Sequence, residues 1–276
     1  MRLVRIANVG RSTITYDETI KPDDADSRAY VTALARGLSV LKAFDEHSAQ
    51  LTLSDVARIV DLPRASARRA LLTLQALGYV ESHGRNFSLS PQVLTLARAY
   101  LASSPVPRLA QGFLENVSET LGESCSLSIL HGEEVIYIAR STRKRVGSLH
   151  RDVGAHLPAH CTSMGRVLLA ALSDTELDAF LARVTLQTFT PYTVTDKAEL
   201  RAIVEKVRRN GYSLLDQELE IDLRSIAVPV QNASGRVIAA MNVSAQASRT
   251  AKKQLTEIFL PALRETALKM RPLLIG

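Results

Sequence analysis

Arg64, Arg68 and Arg69 crowd into one short stretch of the sequence, and they carry its most suggestive chemistry. Guanidinium groups grip phosphate oxygens and guanine edges in pairs of hydrogen bonds, so a helix presenting them suits the major groove of duplex DNA. Ser66 among them, and Ser54 upstream, could meet phosphate oxygens with hydroxyl or backbone N–H donors. His83 and Arg85 flank Gly84, where they could reach the backbone or an adjacent minor groove. The rival reading is a solvated helix face, and each arginine taken alone fits it equally well.

A second cluster holds His160, Cys161 and Ser163, which could be drawn as a nucleophile with a base. Neighbouring residues seldom present side chains to each other, and no Asp lies close by to orient the imidazole, so hydrolysis is disfavoured and no enzyme is expected. The six histidines (47, 83, 131, 150, 156 and 160) include no pair enclosing a Glu at metalloprotease spacing, and His156 and His160 read as loop residues. Cys125 and Cys161 are too few for a disulfide framework and are not spaced as a zinc knuckle. No metal or cofactor is expected. Thr162-Ser163-Met164-Gly165 precedes an apolar run, so the N–H groups of a helix start would face whatever sits before it, and a carboxylate matches that well. Ser163 as a simple cap is the alternative. Arg140 could neutralise a second carboxylate or lie in solvent.

These residues need elements to hold them. Leu34, Leu38, Leu41 and Phe44 predict a first helix with one buried stripe. Thr52 and Asp55 form a capping-box variant opening a second, with Val56, Ile59 and Val60 inward and Asp61-Leu62-Pro63 stopping it. In a third helix Ala67, Ala70, Leu71, Leu74 and Leu77 make the apolar stripe, leaving Arg68 and Arg69 outward. Gly78 ends it, and strands at 79–82 and 87–89 enclose a turn at 84–86. Pro91 opens an amphipathic helix, and residues 103–107 break the chain. Beyond lie a helix at 109–121, strands at 125–130 and 135–139, helices at 164–172, 175–183 and 197–209, strands at 212–215, 225–231 and 237–243, and a closing helix from about Thr250. That order predicts an α+β sensor-type domain with a mainly antiparallel sheet.

The 276 residues, 46% of them hydrophobic, suffice for two cores. We divide the chain into a flexible arm (1–27), a winged helix-turn-helix (28–90), a linker helix (91–107) and an effector-binding domain (108–276). The net charge of +6 is concentrated at 28–108, where ten Lys/Arg face five Asp/Glu. No apolar run long enough to span a bilayer and no signal-peptide stretch are present, so a cytoplasmic, nucleoid-associated protein without membrane contact is expected.

Ala35-Arg36-Gly37-Leu38, Leu62-Pro63-Arg64-Ala65-Ser66 and Leu77-Gly78-Tyr79-Val80 resemble the DNA-binding domain of the IclR family of bacterial regulators. The run from Leu157 to Ala170, then Asn210-Gly211-Tyr212, Asp216-Gln217-Glu218 and Ile226-Ala227-Val228-Pro229, resemble its effector domain. Thr162-Ser163-Met164-Gly165-Arg166 is closest in wording to the branch regulating protocatechuate, 4-hydroxybenzoate and 3-oxoadipate catabolism. One departure is Asp222, where family members usually carry Gly, which puts the local turn in doubt.

The resemblance implies a winged helix-turn-helix plus a GAF-like α/β effector domain, adding Arg36 and Ala65 to the DNA-facing residues. It implies an effector site at Ser163, Met164, Leu215, Ser225, Asn242 and Ser244, although Asn242 and Ser244 could instead merely alternate outward on a strand. The partners implied are operator DNA, a small organic acid and further copies of the chain, as a homodimer or homotetramer.

Overall fold

The computed structural model describes residues 30–45, 48–142 and 152–274; the arm expected at 1–27 lies outside the described residues. The chain divides into two compact units, Met1–Ala102 and Ser103–Gly276.

In the first unit, α1 (Thr32–Lys42), α2 (Leu53–Ile59) and α3 (Arg64–Ala76) are joined by a three-stranded sheet of β1 (Leu51–Thr52), β3 (Asn86–Leu89) and β2 (Val80–His83), in that spatial order. The capping box forms as expected: Thr52 Oγ1 accepts from the Asp55 N–H at 3.2 Å, and Asp55 Oδ2 accepts from the Thr52 N–H at 3.2 Å. The hydrogen bonds from Thr52 hold the Asp55 carboxyl below the usual carboxylate range. Asp61 carries the chain from α2 towards α3 with a left-handed φ of 47°, a conformation that Asp tolerates better than most residues.

The core is built from Val40, Ala43 and Phe44 of α1 and its end, Val56 and Val60, Ala67, Leu71 and Leu74, and Val80. Three expected core residues are elsewhere. Leu34 and Leu38 are 62% and 49% exposed, because the stripe through Val40 and Phe44 lies about a third of a turn away from theirs and faces the core instead. Leu77, expected on the inner stripe of α3, caps its end and is also exposed. The hairpin turn tightens to Gly84 and Arg85, with His83 opposite Asn86 and Gly84 at φ 65°. Then α4 (Val93–Ser103) buries none of its side chains.

The second unit starts earlier than the break at 103–107 suggested. Pro105 opens α5 (Pro105–Leu121) instead of ending a segment, since the first helical turn has no use for the missing N–H. β4 (Ser124–His131), β5 (Glu134–Ser141), β6 (His156–Pro158), β7 (Ser213–Asp216), β8 (Leu223–Gln231) and β9 (Val237–Gln246) form one sheet in the order β6-β5-β4-β9-β8-β7, with every neighbouring pair antiparallel.

Strand alternation sorts the side chains of this sheet between two cores. Cys125, Leu127, Ile226, Val228, Met241 and Val243 pack with α5 and, after the short α9 (Lys252–Gln254), with a π turn (Leu255–Phe259) and α10 (Leu260–Met270). Val135, Tyr137, Ala227 and Ala240 pack on the other face with α6 (Ser163–Ala170), α7 (Asp174–Arg183) and α8 (Lys197–Asn210). The turn in doubt at Asp222 keeps a left-handed φ of 64°, and its carboxylate accepts from the Ser248 N–H at 2.6 Å and the Ser248 hydroxyl at 3.0 Å.

Candidate functional site

On the first unit, Ala67, Leu71 and Leu74 turn α3 inward, which leaves Arg64, Ala65, Arg68 and Arg69 exposed and Ser66 half-buried. No acidic side chain occupies the first turn of α3. Ser54 is exposed in the first turn of α2, and His83 and Arg85 are exposed at the hairpin. His83 Nε2 lies 3.6 Å from Glu81. Arg36 is exposed on α1 and lines, with Ser66 and Arg69, a groove whose floor is Leu34, Leu38, Leu41 and Leu77. The apolar floor was not anticipated, since Leu34 and Leu38 read as core.

On the second unit, strand register gathers the effector candidates beneath α6. Ser126 of β4 is paired with Arg140 on one side and Asn242 on the other, so these three form a row across the sheet. The next row runs Leu215, Ser225, Ser244, Ser124. Ser225 donates to Ser163 Oγ at 2.9 Å, and the Ser128 hydroxyl donates to Met164 Sδ at 3.2 Å. Asn242 gives its amide N–H to Ser244 Oγ at 3.2 Å, whereas its Oδ1 is buried with no hydrogen-bond partner among the described residues. Asn242 and Ser225 are both buried, which sets aside the reading in which Asn242 merely faces outward. Ser126, Ser128 and Ser213, all buried on the same face, are additions. The every-second-residue serines of 124–128 were the signal for two of them.

Thr162, and not Ser163, caps α6: its Oγ1 accepts from the Gly165 N–H at 3.1 Å and donates to the Pro158 carbonyl at 3.1 Å. Gly165 is there because a Cβ would overlap the Ala159 backbone. Four residues into α6 territory, Arg166 is 2% exposed and makes a two-pronged ion pair with Glu218, 2.7 Å to Oε1 and 2.6 Å to Oε2. Sequence reasoning missed this pair, although a lone Arg inside an apolar helical run was a clue.

The nucleophile-and-base arrangement does not assemble. His160 lies on a 3₁₀ turn (Ala159–Cys161), and its Nε2 faces the Gln187 carbonyl at 3.2 Å, while Ser163 bonds to Ser225. Burial, with Arg166 nearby, holds His160 below its ordinary pKa, and burial pushes the Cys125 thiol up. His156, on β6, pairs with Glu134 of β5 at 2.9 Å, so His156 is in a strand and not in the loop expected. No cluster of three or more potential metal ligands occurs, and no helix is long and apolar enough to cross a membrane, among the described residues.

A winged helix-turn-helix joined to an α+β unit with a polar seam under a helix start is the build of a transcriptional regulator with a sensing domain. Residues 33–84 match the IclR helix-turn-helix domain, and residues 98–271 match the C-terminal domain of the bacterial transcriptional regulator IclR. The chain belongs to the IclR family, whose members are regulators and not enzymes.

It is 47% identical to the Pca regulon regulatory protein of Pseudomonas putida, over 85% of this chain and 81% of the relative. It is 36% identical to the p-hydroxybenzoate hydroxylase transcriptional activator of Acinetobacter baylyi, over 93% and 94%. A crystal structure of an IclR homolog from Microbacterium hydrocarbonoxydans, complexed with 4-hydroxybenzoate, superposes with a TM-score of 0.71 at 29% identity, covering 87% of this chain and 97% of that one. These relatives fall in the branch to which the Thr162–Arg166 wording pointed.

Proposed function

We propose that this regulator binds a pseudo-palindromic operator through α3 and the hairpin, and that a small organic acid held under α6 controls that binding. Arg64, Ala65, Ser66, Arg68 and Arg69 would enter the major groove, with Arg36, Ser54, His83 and Arg85 steering the flanking backbone. Three exposed arginines, Arg64, Arg68 and Arg69, in the first half of one helix, with no carboxylate in its first turn, support this assignment.

The effector is an aromatic acid or a dicarboxylic product of ring cleavage. The observation that carries this reading is the row Arg140, Ser126 and Asn242, of which Ser126 and Asn242 are buried, with an unpartnered amide oxygen at its end. A carboxylate fits the start of α6, Arg140 suits a second anionic group, and the Asn242 amide and the serine hydroxyls suit ring or keto oxygens. The relatives named for Pca and p-hydroxybenzoate regulation, and the homolog holding 4-hydroxybenzoate, point to the same ligand chemistry.

Two chains, or four, would act together. Leu34 and Leu38 on α1, and Leu94, Leu96, Tyr100 and Leu101 on α4, expose large apolar side chains that a second copy would cover. Ligand binding would then change the spacing of the paired reading heads.

Fluorescence anisotropy with the chain's own upstream intergenic DNA tests the reading. Arg68→Ala with Arg69→Ala should weaken binding and flatten the salt dependence by about two charges. An unchanged affinity and slope would sink it. Among protocatechuate, 4-hydroxybenzoate, 3-oxoadipate and pyruvate, at least one of the first three should raise the melting temperature and shift the DNA affinity.

A further inference from the structure

The Arg166–Glu218 pair reaches three separate segments around the polar seam. Arg166 lies one helical turn after Ser163, and its Nε donates to the His160 carbonyl at 2.9 Å, holding the 3₁₀ turn that leads into α6. Both of its terminal nitrogens go to Glu218, which follows Leu215 by three residues at the exit of β7. Glu218 Oε2 also accepts from the Val194 N–H at 3.2 Å, and its carbonyl accepts from the hydroxyls of Thr193 at 2.6 Å and Thr190 at 3.2 Å. Beside it, Gln217 takes a left-handed φ of 62°, a strained conformation for a residue with a side chain.

Burying such a pair is costly, and well-packed apolar residues in its place are often as stable or more so. Stability is therefore a poor reason for Arg166 to sit in the otherwise apolar, buried stretch Met164–Leu169. Geometry is a better one. The pair spans the same gap as the Ser163–Ser225 hydrogen bond, from the start of α6 to the β7–β8 edge of the sheet.

We propose that Arg166 and Glu218 form a positioning clamp that sets the distance between the α6 start and the β7–β8 hairpin, and with it the seat of the acid ligand. The clamp touches no ligand itself; it fixes Ser163 and Met164 on one side and Leu215 and Ser225 on the other. This rests on the reading of that seam as the effector site, but the clamp has a readout that needs no ligand.

The test is hydrogen exchange on the full chain with Arg166→Met and Glu218→Met combined, an apolar replacement that keeps the packing volume. The clamp predicts a melting temperature close to that of the parent chain, with exchange in 161–167 and 213–218 faster by about tenfold or more. Unchanged exchange in both segments of the folded double variant overturns it. Should that variant fail to fold, Glu218→Gln, which keeps the shape and loses the charge, takes its place with the same criterion.

A second arm measures the affinity for whichever of the three ring-derived acids binds the parent chain. About tenfold weakening in the double variant supports the clamp, and unchanged affinity overturns its role in seating the ligand. If no acid binds the parent chain, or if Asn242→Ala leaves acid affinity unchanged, the effector-site reading fails, and the exchange arm still decides the clamp.

Discussion

The hydroxyl of Ser225, on β8, donates to Ser163 Oγ at 2.9 Å and so ties the first turn of α6 to the β7–β8 side of the sheet. Both residues are buried, and the bond links positions 62 residues apart in sequence. Ser225→Ala should cost about 1 kcal/mol, the worth of one buried hydrogen bond. Chemical denaturation measures it, and a loss below a few tenths of a kcal/mol would mean that the helix start is held without it.

Gly165 is irreplaceable for a steric reason. A methyl group there would run into the Ala159 carbonyl and Cα, which are backbone and cannot rotate aside. Gly165→Ala should destabilise the second unit by about 3 kcal/mol, at the upper end of overpacking costs. A variant with an unaltered melting temperature would show that the 3₁₀ turn can slide.

Removing the Thr52 cap tests the entry to the helix-turn-helix. Thr52→Ala loses the Oγ1 bonds with Asp55, keeps the backbone N–H bond to its carboxylate, and should cost about 1 kcal/mol. Because α2 supports α3, operator affinity should fall only as far as the folded fraction does. A larger loss of binding, measured well below the melting temperature, would assign Thr52 a contact with DNA.

His160 predicts an acid sensitivity. Its folded pKa is lowered, first by burial, so on acidification the unfolded chain takes up a proton before the folded one does. Stability is therefore complete above about pH 6.5 and declines as the pH drops below that value. His160→Gln should flatten this part of the profile. Equal slopes for variant and parent, by thermal melting across that range, would contradict the assignment.

Asp222 takes a left-handed conformation at its turn and recovers part of the cost through Ser248. Asp222→Ala keeps the backbone strain and loses both bonds, so it should cost about 2 kcal/mol. Asp222→Gly loses the bonds but relieves the strain, so it should lie between the parent and the Ala variant. An Ala variant as stable as the parent, by chemical denaturation, would mean that Ser248 contributes nothing.

Local patterns determined much of this protein. The capping box at Thr52, the basic face of α3, the glycine turn at Gly84 and the helix starting after Thr162 all depend on residues within a few positions of one another, so spacing alone predicted them. The IclR resemblance rested on such stretches as well, and the family match agrees with it. Tertiary structure decided which apolar stripe of α1 meets the core, leaving Leu34 and Leu38 outside, because a helix with two stripes is oriented by what packs against it. It also decided that Arg140, Ser126 and Asn242 share a row and that Arg166 finds Glu218 52 residues away. Strand order and register bring together residues that sequence separation keeps apart, and no local period records which strands become neighbours.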